Sequence, residues 1–367
     1  MTALRGVVDK RHIPLPVKMS VLLIALVTVF LLSAAAPEGC ANAHRPDTLV
    51  IAMTGDIMMG MTYPKVKLPE DGGAHLFDDV KPVLTAADLA IGNLEGTLCD
   101  EGTPRRKPSD SSYMFRTPTA YGRHLSDAGF DFLSMANNHA MDFGIDGVKS
   151  TETTLRERGI RFAGLKGRAE YAVVERKGVR FGICALGYNS YTLKHTRKST
   201  IKEILNKLRQ CSDIVIVSFH GGAEGNDQRH LPDGKEMFLN ENRGCLREMA
   251  HFCVDNGADV VCGHGPHVLR CMEVYKDRFI AYSLGNFCTP YGINIRGVAR
   301  YAPVLTIRVV GDGRFVDGRI HSFVQKRGTG PRADARHSAA REIRVLTSED
   351  IKGSRLKIDA TGNLSLK

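Results

Sequence analysis

Residues 260–270 read VVCGHGPHVLR: a short apolar run that breaks into a glycine- and proline-rich turn carrying His264 and His267, three positions apart. The run Asp259-Val260-Val261-Cys262 has the length of a buried strand, and Gly263, Gly265 and Pro266 forbid its continuation as a regular helix. Two imidazoles therefore sit at a strand's end. A metal ion is one partner that a rigid turn of this kind can hold, and backbone hydrogen bonding is the other. The stretch by itself does not choose between them.

The same arrangement recurs along the chain. TLVIAM (48–53) runs into TGDIMMG, DLAIG (88–92) into NLEGT, DFLSMA (131–136) into NNHAMDFG, DIVIVSF (213–219) into HGGAEG, and FIAYS (279–283) into LGNF. Between these runs lie segments with helical spacing: LFDDVKPVLTAA, TAYGRHLSDAG, IDGVKSTETTLRERG, STIKEILNKLRQC and KEMFLNENRGCLREMAHFCVDNG. Strands alternating with helices predict an α/β protein with crossover connections. YAVVERKGVRFGICALG (171–187) adds a hairpin turned at Lys177-Gly178, and PVLTIRVVGDGRFVDGRIHSF (303–323) a second one turned at Gly311-Asp312-Gly313. In α/β sheets ligands bind beyond the carboxyl ends of strands, so these loops are expected to converge on one edge.

Five of the loops then offer Asp56, Glu95, Asn138 with His139, His220, and His264 with His267. Mixed carboxylate, amide and imidazole ligands suit a pair of divalent ions ~3.5–4 Å apart, and suit manganese, iron or zinc better than magnesium or calcium. With only two acids in the set, the metals keep net positive charge and attract an anionic substrate. Each residue also has a plain structural reading. Asp56 can cap a helix, Asn137-Asn138 can form a turn, Glu95 can pair with an arginine, and His220 can be a satisfied histidine at the core's edge. Recurrence at strand ends favours the metal. Asp142 and Asn286 read as turn residues or as supports of the ligands, and Glu224 as an extra ligand or base.

A chain of 367 residues, 43% of them hydrophobic, buries a substantial core. Lys10, Arg11 and Lys18 precede MSVLLIALVTVFLLSAAA (19–36), an export element. Ala34-Ala35-Ala36 and Ala41-Asn42-Ala43 offer cleavage sites, while the length of the run fits a retained anchor; either leaves the rest of the chain outside the cytoplasm. A lipid on Cys40 is disfavoured, because Pro37-Glu38-Gly39 lacks the expected aliphatic residue. The net charge is +10, and residues 326–344 (KRGTGPRADARHSAAREIR) concentrate much of it. That segment reads as a mobile basic stretch, solvated or drawn to an anionic envelope polymer or lipid head groups; an exported protein meets no nucleic acid. The expected division is an export segment at 1–43, a main domain at 44–325 and a basic, partly flexible segment at 326–367. Nine cysteines occur without a C-x-x-C pair, which excludes a zinc ribbon or thioredoxin-like motif. Cys184 and Cys262 read as buried small hydrophobes, and the odd count leaves at least one thiol unpaired.

Together TGDIMMG, GNLEGTL, MANNHAMDFG, FHGGAEG, GHGPHV and YSLGNF resemble, in order and over roughly residues 48–290, the bacterial capsule-synthesis proteins of poly-γ-glutamate production, the CapA or PgsA family. The resemblance implies a fold similar to the calcineurin-like metallophosphoesterases: a four-layer sandwich of two mixed sheets flanked by helices around a dinuclear site. Carried across, Asp56 binds one metal, Glu95 stands where a bridging aspartate stands, Asn138, His220 and His264 serve the other metal, and His267 closes the first site. His139 becomes the acid that protonates a leaving oxygen. Met58 departs from the pattern, since phosphoesterases place a ligand histidine two after the first aspartate and a thioether suits a hard cation poorly. FHGGAEG also departs, lacking the aromatic residues that relatives carry beside the glycine and after the glutamate. Two functions stay open. One is an accessory subunit, anchored or exported, that works with membrane-bound synthase subunits on an anionic polymer such as poly-γ-glutamate. The other is a metal-dependent hydrolase or transferase of an envelope substrate or phosphoester, with a metal-activated water as nucleophile.

Overall fold

Leu49, Ile51 and Met53 point to one side of the strand Thr48–Ile57, Ala52 and Ile57 to the other, and both sides are buried. A strand apolar on both faces needs cover on both. The computed structural model, which describes residues 47–105 and 113–367, supplies it with two sheets packed face to face and helices outside each. The export segment expected at 1–43 lies outside the described residues.

The larger sheet runs, in spatial order, through Leu356–Ile358, Asn363–Leu366, Phe315–His321, Val304–Val310, Thr48–Ile57, Leu89–Leu94, Phe132–Ser134 and Arg161–Ala163. A short strand, Asn286–Cys288, pairs in parallel with the carboxyl end of Thr48–Ile57. From Thr48–Ile57 outward to Arg161–Ala163 the pairing is parallel, and on the other side it is antiparallel. The smaller sheet runs Met272–Tyr275, Arg278–Ala281, Val260–His264, Ile214–His220, Val179–Gly187, Tyr171–Arg176, with a parallel centre and antiparallel edges. Between the sheets lies a shared core in which Ile51, Met53 and Phe132 meet Phe181, Ile183, Ile216 and Phe279. The far face of the larger sheet is covered by Leu125 of Gly122–Ala128 and by Val148 and Leu155 of Gly144–Glu157. The far face of the smaller is covered by Ile201, Ile204, Leu205 and Leu208 of Lys198–Cys211 and by Leu246, Met249 and Cys253 of Leu246–Asp255. This is the four-layer sandwich expected, and among the described residues no helix is long and apolar enough to cross a membrane.

Both hairpins form where the sequence puts their turns: Lys177 and Gly178 take left-handed conformations between Tyr171–Arg176 and Val179–Gly187, and Gly313 does so after Val304–Val310. Three expectations are corrected. The long segment 235–257 is not one helix, because Leu239 and Asn240 adopt left-handed conformations and turn Glu236–Phe238 back on Glu241–Gly244, so that the helix starts only at Leu246. The helix expected at 76–87 shrinks to Lys81–Thr85, with a proline in its first turn. The basic stretch is not a mobile tail: Ser338–Asp350 is a helix that buries Ala339, Ala340, Ile343 and Leu346, and Asn363–Leu366 pairs with Phe315–His321. Its charges ride on the outer face of an element whose inner face closes the core. The eight described cysteines form no disulfide, and Cys184 and Cys262 are buried among apolar side chains.

Candidate metal centre

Register brings the ligand-type residues together. Asp56 pairs with Asn93 on one side and with Asn286 on the other, at the carboxyl end of parallel strands of the larger sheet. In the smaller sheet His220 pairs directly with His264. Neighbouring residues across a ladder present side chains to the same face, so each sheet edge carries a row of them. Gly263 and Gly265 let the histidine loop approach: a Cβ on Gly263 would lie 2.3 Å from Tyr282 O, and one on Gly265 2.5 Å from Gly221 O. Beyond Pro266 the chain holds His267 in the left-handed region at φ 59, a conformation a non-glycine residue keeps only where its surroundings fix it.

Asp56, Glu95 and His267 place one ligand atom each within 4.8 Å of one another. His267 spans the two carboxylates, with Nδ1 3.0 Å from Asp56 Oδ2 and Nε2 3.5 Å from Glu95 Oε1. His264 Nδ1 lies 3.4 Å from Asp56 Oδ1 but makes no hydrogen bond. Burial resists ionisation of Asp56, yet the rings of His264 and His267 hold its carboxyl well below the usual range. Burial pushes Glu95 well above it; the charges of Asp56 and Glu224 add to the rise while His267 opposes it. His267 itself is raised to about 10: burial opposes its charge, and Glu95, Asp56 and Glu224 overcome that. Burial drives His220 well below its ordinary value, so it is a neutral imidazole.

These residues fit a divalent metal on the chemistry of their donor atoms. Both carboxylate oxygens of Glu95, both ring nitrogens of His220, His264 Nδ1 and Asn138 Oδ1 are buried without a hydrogen-bond partner. Buried polar atoms are nearly always satisfied, and a cation is the partner that Glu95, His264, Asn138 and one ring nitrogen of His220 would find. Met58 takes no part. Its thioether packs with Met61 and Phe115, as its chemistry prefers.

Asn137 and Asn138, adjacent in sequence, part company here. Asn137 Nδ2 donates to Asn93 Oδ1 at 3.1 Å and to Leu94 O at 2.8 Å, while Asn93 Nδ2 donates to Asp56 Oδ1 at 2.8 Å, so Asn137 holds the aspartate in place. Asn138 and His139 instead line a cavity of about 540 Å³, with Tyr113, Glu224, Phe238 and Arg243 on its walls. A second cavity of about 300 Å³ shares Tyr113, His139, Glu224 and Phe238 and reaches His267. The two form one cleft over the centre. His139 Nδ1 donates to Asp142 Oδ2 at 2.8 Å, and the same carboxylate oxygen accepts from Phe115 N at 2.7 Å. That fixes the tautomer and leaves Nε2 as the nitrogen free to exchange a proton.

Several residues of the site escape a sequence reading. Arg243, 2% exposed, pairs with Glu224 at 2.8 Å and lies over the ring of Tyr188. Arg270, fully buried, pairs with Glu236 through both terminal nitrogens and donates from Nε to Gln228 O, tying the hairpin to the loop that carries Glu224. Arg243 also meets Glu241 two positions before it, but its pair with Glu224 and that of Arg270 with Glu236 depend on where separate segments meet.

The geometry defines a class: a four-layer α/β protein with carboxylate, amide and imidazole side chains gathered where the parallel strands of both sheets end. The chain belongs to the bacterial capsule synthesis protein family PGA_cap, whose model matches residues 50–291. It is 29% identical over 288 residues to the PGA biosynthesis protein CapA of Bacillus subtilis (strain 168), covering 73% of this chain and 70% of that protein. It is also 29% identical to the capsule biosynthesis protein CapA of Bacillus anthracis, covering 75% and 67%. Among solved structures, a hypothetical protein from Thermus thermophilus matches with a TM-score of 0.48 and 17% identity over 76% of this chain and all of that one. The purple acid phosphatase PPD1 of yellow lupin matches with a TM-score of 0.38 and 9% identity over 77% and 52%.

Proposed function

We propose that this chain is an exported accessory protein of anionic polymer biosynthesis, of the capsule or poly-γ-glutamate kind, built round a divalent-metal centre that retains hydrolytic or transfer chemistry. The observation that carries this reading is the cluster of buried, unpartnered ligand atoms opening on a polar cleft. Asp56, Glu95 and His267 would hold one cation, and Asn138, His220 and His264, with Glu95 between, a second. When bound, such a cation supplies Lewis acidity and lowers the pKa of a water molecule. The protein's own groups do the rest. Asn137, through Asn93, orients Asp56, and Asp142 holds His139 with Nε2 available to protonate a leaving oxygen. Tyr113 and Phe238 line both cavities together with that histidine. Membership of the capsule synthesis family and the similarity to two CapA proteins support the polymer as the biological target. The basic-then-apolar order of residues 10–36 supports export.

The test is metal content joined to capsule formation. The full-length chain purified from metal-supplemented medium should carry manganese, iron or zinc, and His220→Ala and His264→Ala should lose it while staying folded. The same variants should fail to restore polymer in cells lacking the native protein. A metal-free wild-type chain defeats the reading, as does full restoration of polymer by His264→Ala.

A further inference from the structure

Asn286 flanks Asp56 on the side opposite Asn93, in register with it and fully buried. In-register neighbours share a face, and for Asn93 the contact is direct, since its Nδ2 reaches Asp56 Oδ1 at 2.8 Å. The orientation of the Asn286 amide is fixed. Its Nδ2 faces three carbonyl oxygens, those of His267 at 3.1 Å, Asn294 at 3.2 Å and Ala299 at 3.1 Å, and a flipped amide would set oxygen against all three. Its Oδ1 is buried with no hydrogen-bond partner. The amide is thus anchored to the backbone of the residue whose ring spans Asp56 and Glu95. The residue in register with Asp56 thus carries a buried oxygen acceptor without a partner, while Met58 packs with Met61 and Phe115 and offers no ligand.

We propose that Asn286 Oδ1 is a metal ligand on the Asp56 side of the centre, which makes the two halves chemically unequal. This rests on the metal reading above. The Asp56 half then offers oxygens from Asp56, Glu95 and Asn286 with one imidazole, His267. The other half offers two imidazoles, His220 and His264, with Asn138 and the shared Glu95. Zinc binds tighter than manganese at most sites, but imidazole-rich sets favour it most and oxygen-rich sets least, so a single zinc goes to the His220 half and leaves the Asp56 half to manganese in excess.

The full-length chain, stripped by chelation, is given one equivalent of Zn²⁺, then dialysed against excess Mn²⁺, and each metal is counted. The wild type should hold one of each. Asn286→Ala should bind manganese at least ~10-fold more weakly and keep its zinc; losing a residue that only supports a ligand costs a similar factor, so rescue by a second substitution separates the two roles. His264→Ala should do the reverse. Adding Met58→His to Asn286→Ala should restore a first-site ion, which a residue that merely anchors the His267 loop would not allow. The inference falls if Asn286→Ala keeps manganese within about twofold, if that variant loses both metals together, or if the wild type fills both halves with either ion. Should Asn286→Ala fail to fold, His264→Ala decides: loss of manganese along with zinc overturns the inequality. A wild-type chain that binds neither ion removes the metal centre itself.

Discussion

Replacing Arg270 with methionine should destabilise the protein by about 3–5 kcal/mol, the usual cost of stripping one partner from a buried ion pair. The figure comes from the geometry. Arg270 is 0% exposed and Glu236 5%, joined by two hydrogen bonds of 2.8 and 2.7 Å. Removing the guanidinium leaves the carboxylate in the interior with a single donor, Ala223 N at 2.9 Å. The penalty is mostly the stranded charge and not lost attraction, so neutralising Glu236 should undo much of it. Arg270→Met with Glu236→Gln should recover at least ~2 kcal/mol over Arg270→Met alone. The chain has no tryptophan, so far-UV circular dichroism against denaturant is the suitable probe. A single variant that loses less than ~1 kcal/mol, or a double variant no better than the single, would refute the stranded-charge account. Because the pair ties the hairpin to the loop carrying Glu224, the single variant should also bind metal more weakly.

Three other outcomes are expected. His139→Asn should cut turnover by ~10²–10⁴-fold and leave metal content unchanged, since the ring works on a proton and lies outside the ligand cluster; equal loss of metal would contradict its role. His195 and His321 are both held near pKa 4, by burial first and then by Arg243 and Arg319 respectively. Their unfolded pKa is the ordinary 6.5, so the unfolded chain binds more protons in between, and stability is full above about pH 6.5 and falls as pH drops toward 4. His195→Leu should flatten that decline, as read from denaturant midpoints at pH 7 and 5. Gly55→Ala should unfold the protein or abolish metal binding, because its Cβ would lie 2.0 Å from Gly285 O; a normally stable variant in a metal titration would count against the backbone contact.

What the sequence makes legible here is local. Apolar runs that end in Gly, Pro, Asn or Asp mark strands and their terminal loops, and Asp56, Glu95, His264 and His267 meet as those loops suggest. What it hides depends on where a side chain turns once neighbours arrive. Asn137 and Asn138 are indistinguishable in the chain, yet one braces Asp56 through Asn93 and the other lines the cleft. The spacing of Met237, Phe238 and Leu246 imitates a helix across residues that form a hairpin, because nothing short of the left-handed turn at Leu239-Asn240 marks the reversal. In the basic stretch, six cationic side chains mask Ala339, Ala340, Ile343 and Leu346, whose helical spacing is the stronger physical signal. Buried arginines such as Arg243 and Arg270 look like surface ones until their acids arrive from elsewhere in the chain.

Asp56 and His267 are 211 positions apart, and the strand that flanks Asp56 begins only at Asn286, after the smaller sheet has been threaded through. A nascent or truncated chain that stops short of that strand has every upstream ligand and no pocket to gather them. On the proposed metal reading, occupancy would report that both sheets have closed on each other, and a chain held extended would have nothing with which to gather cations. Under that proposal, any ions the centre holds would be those present where folding finishes.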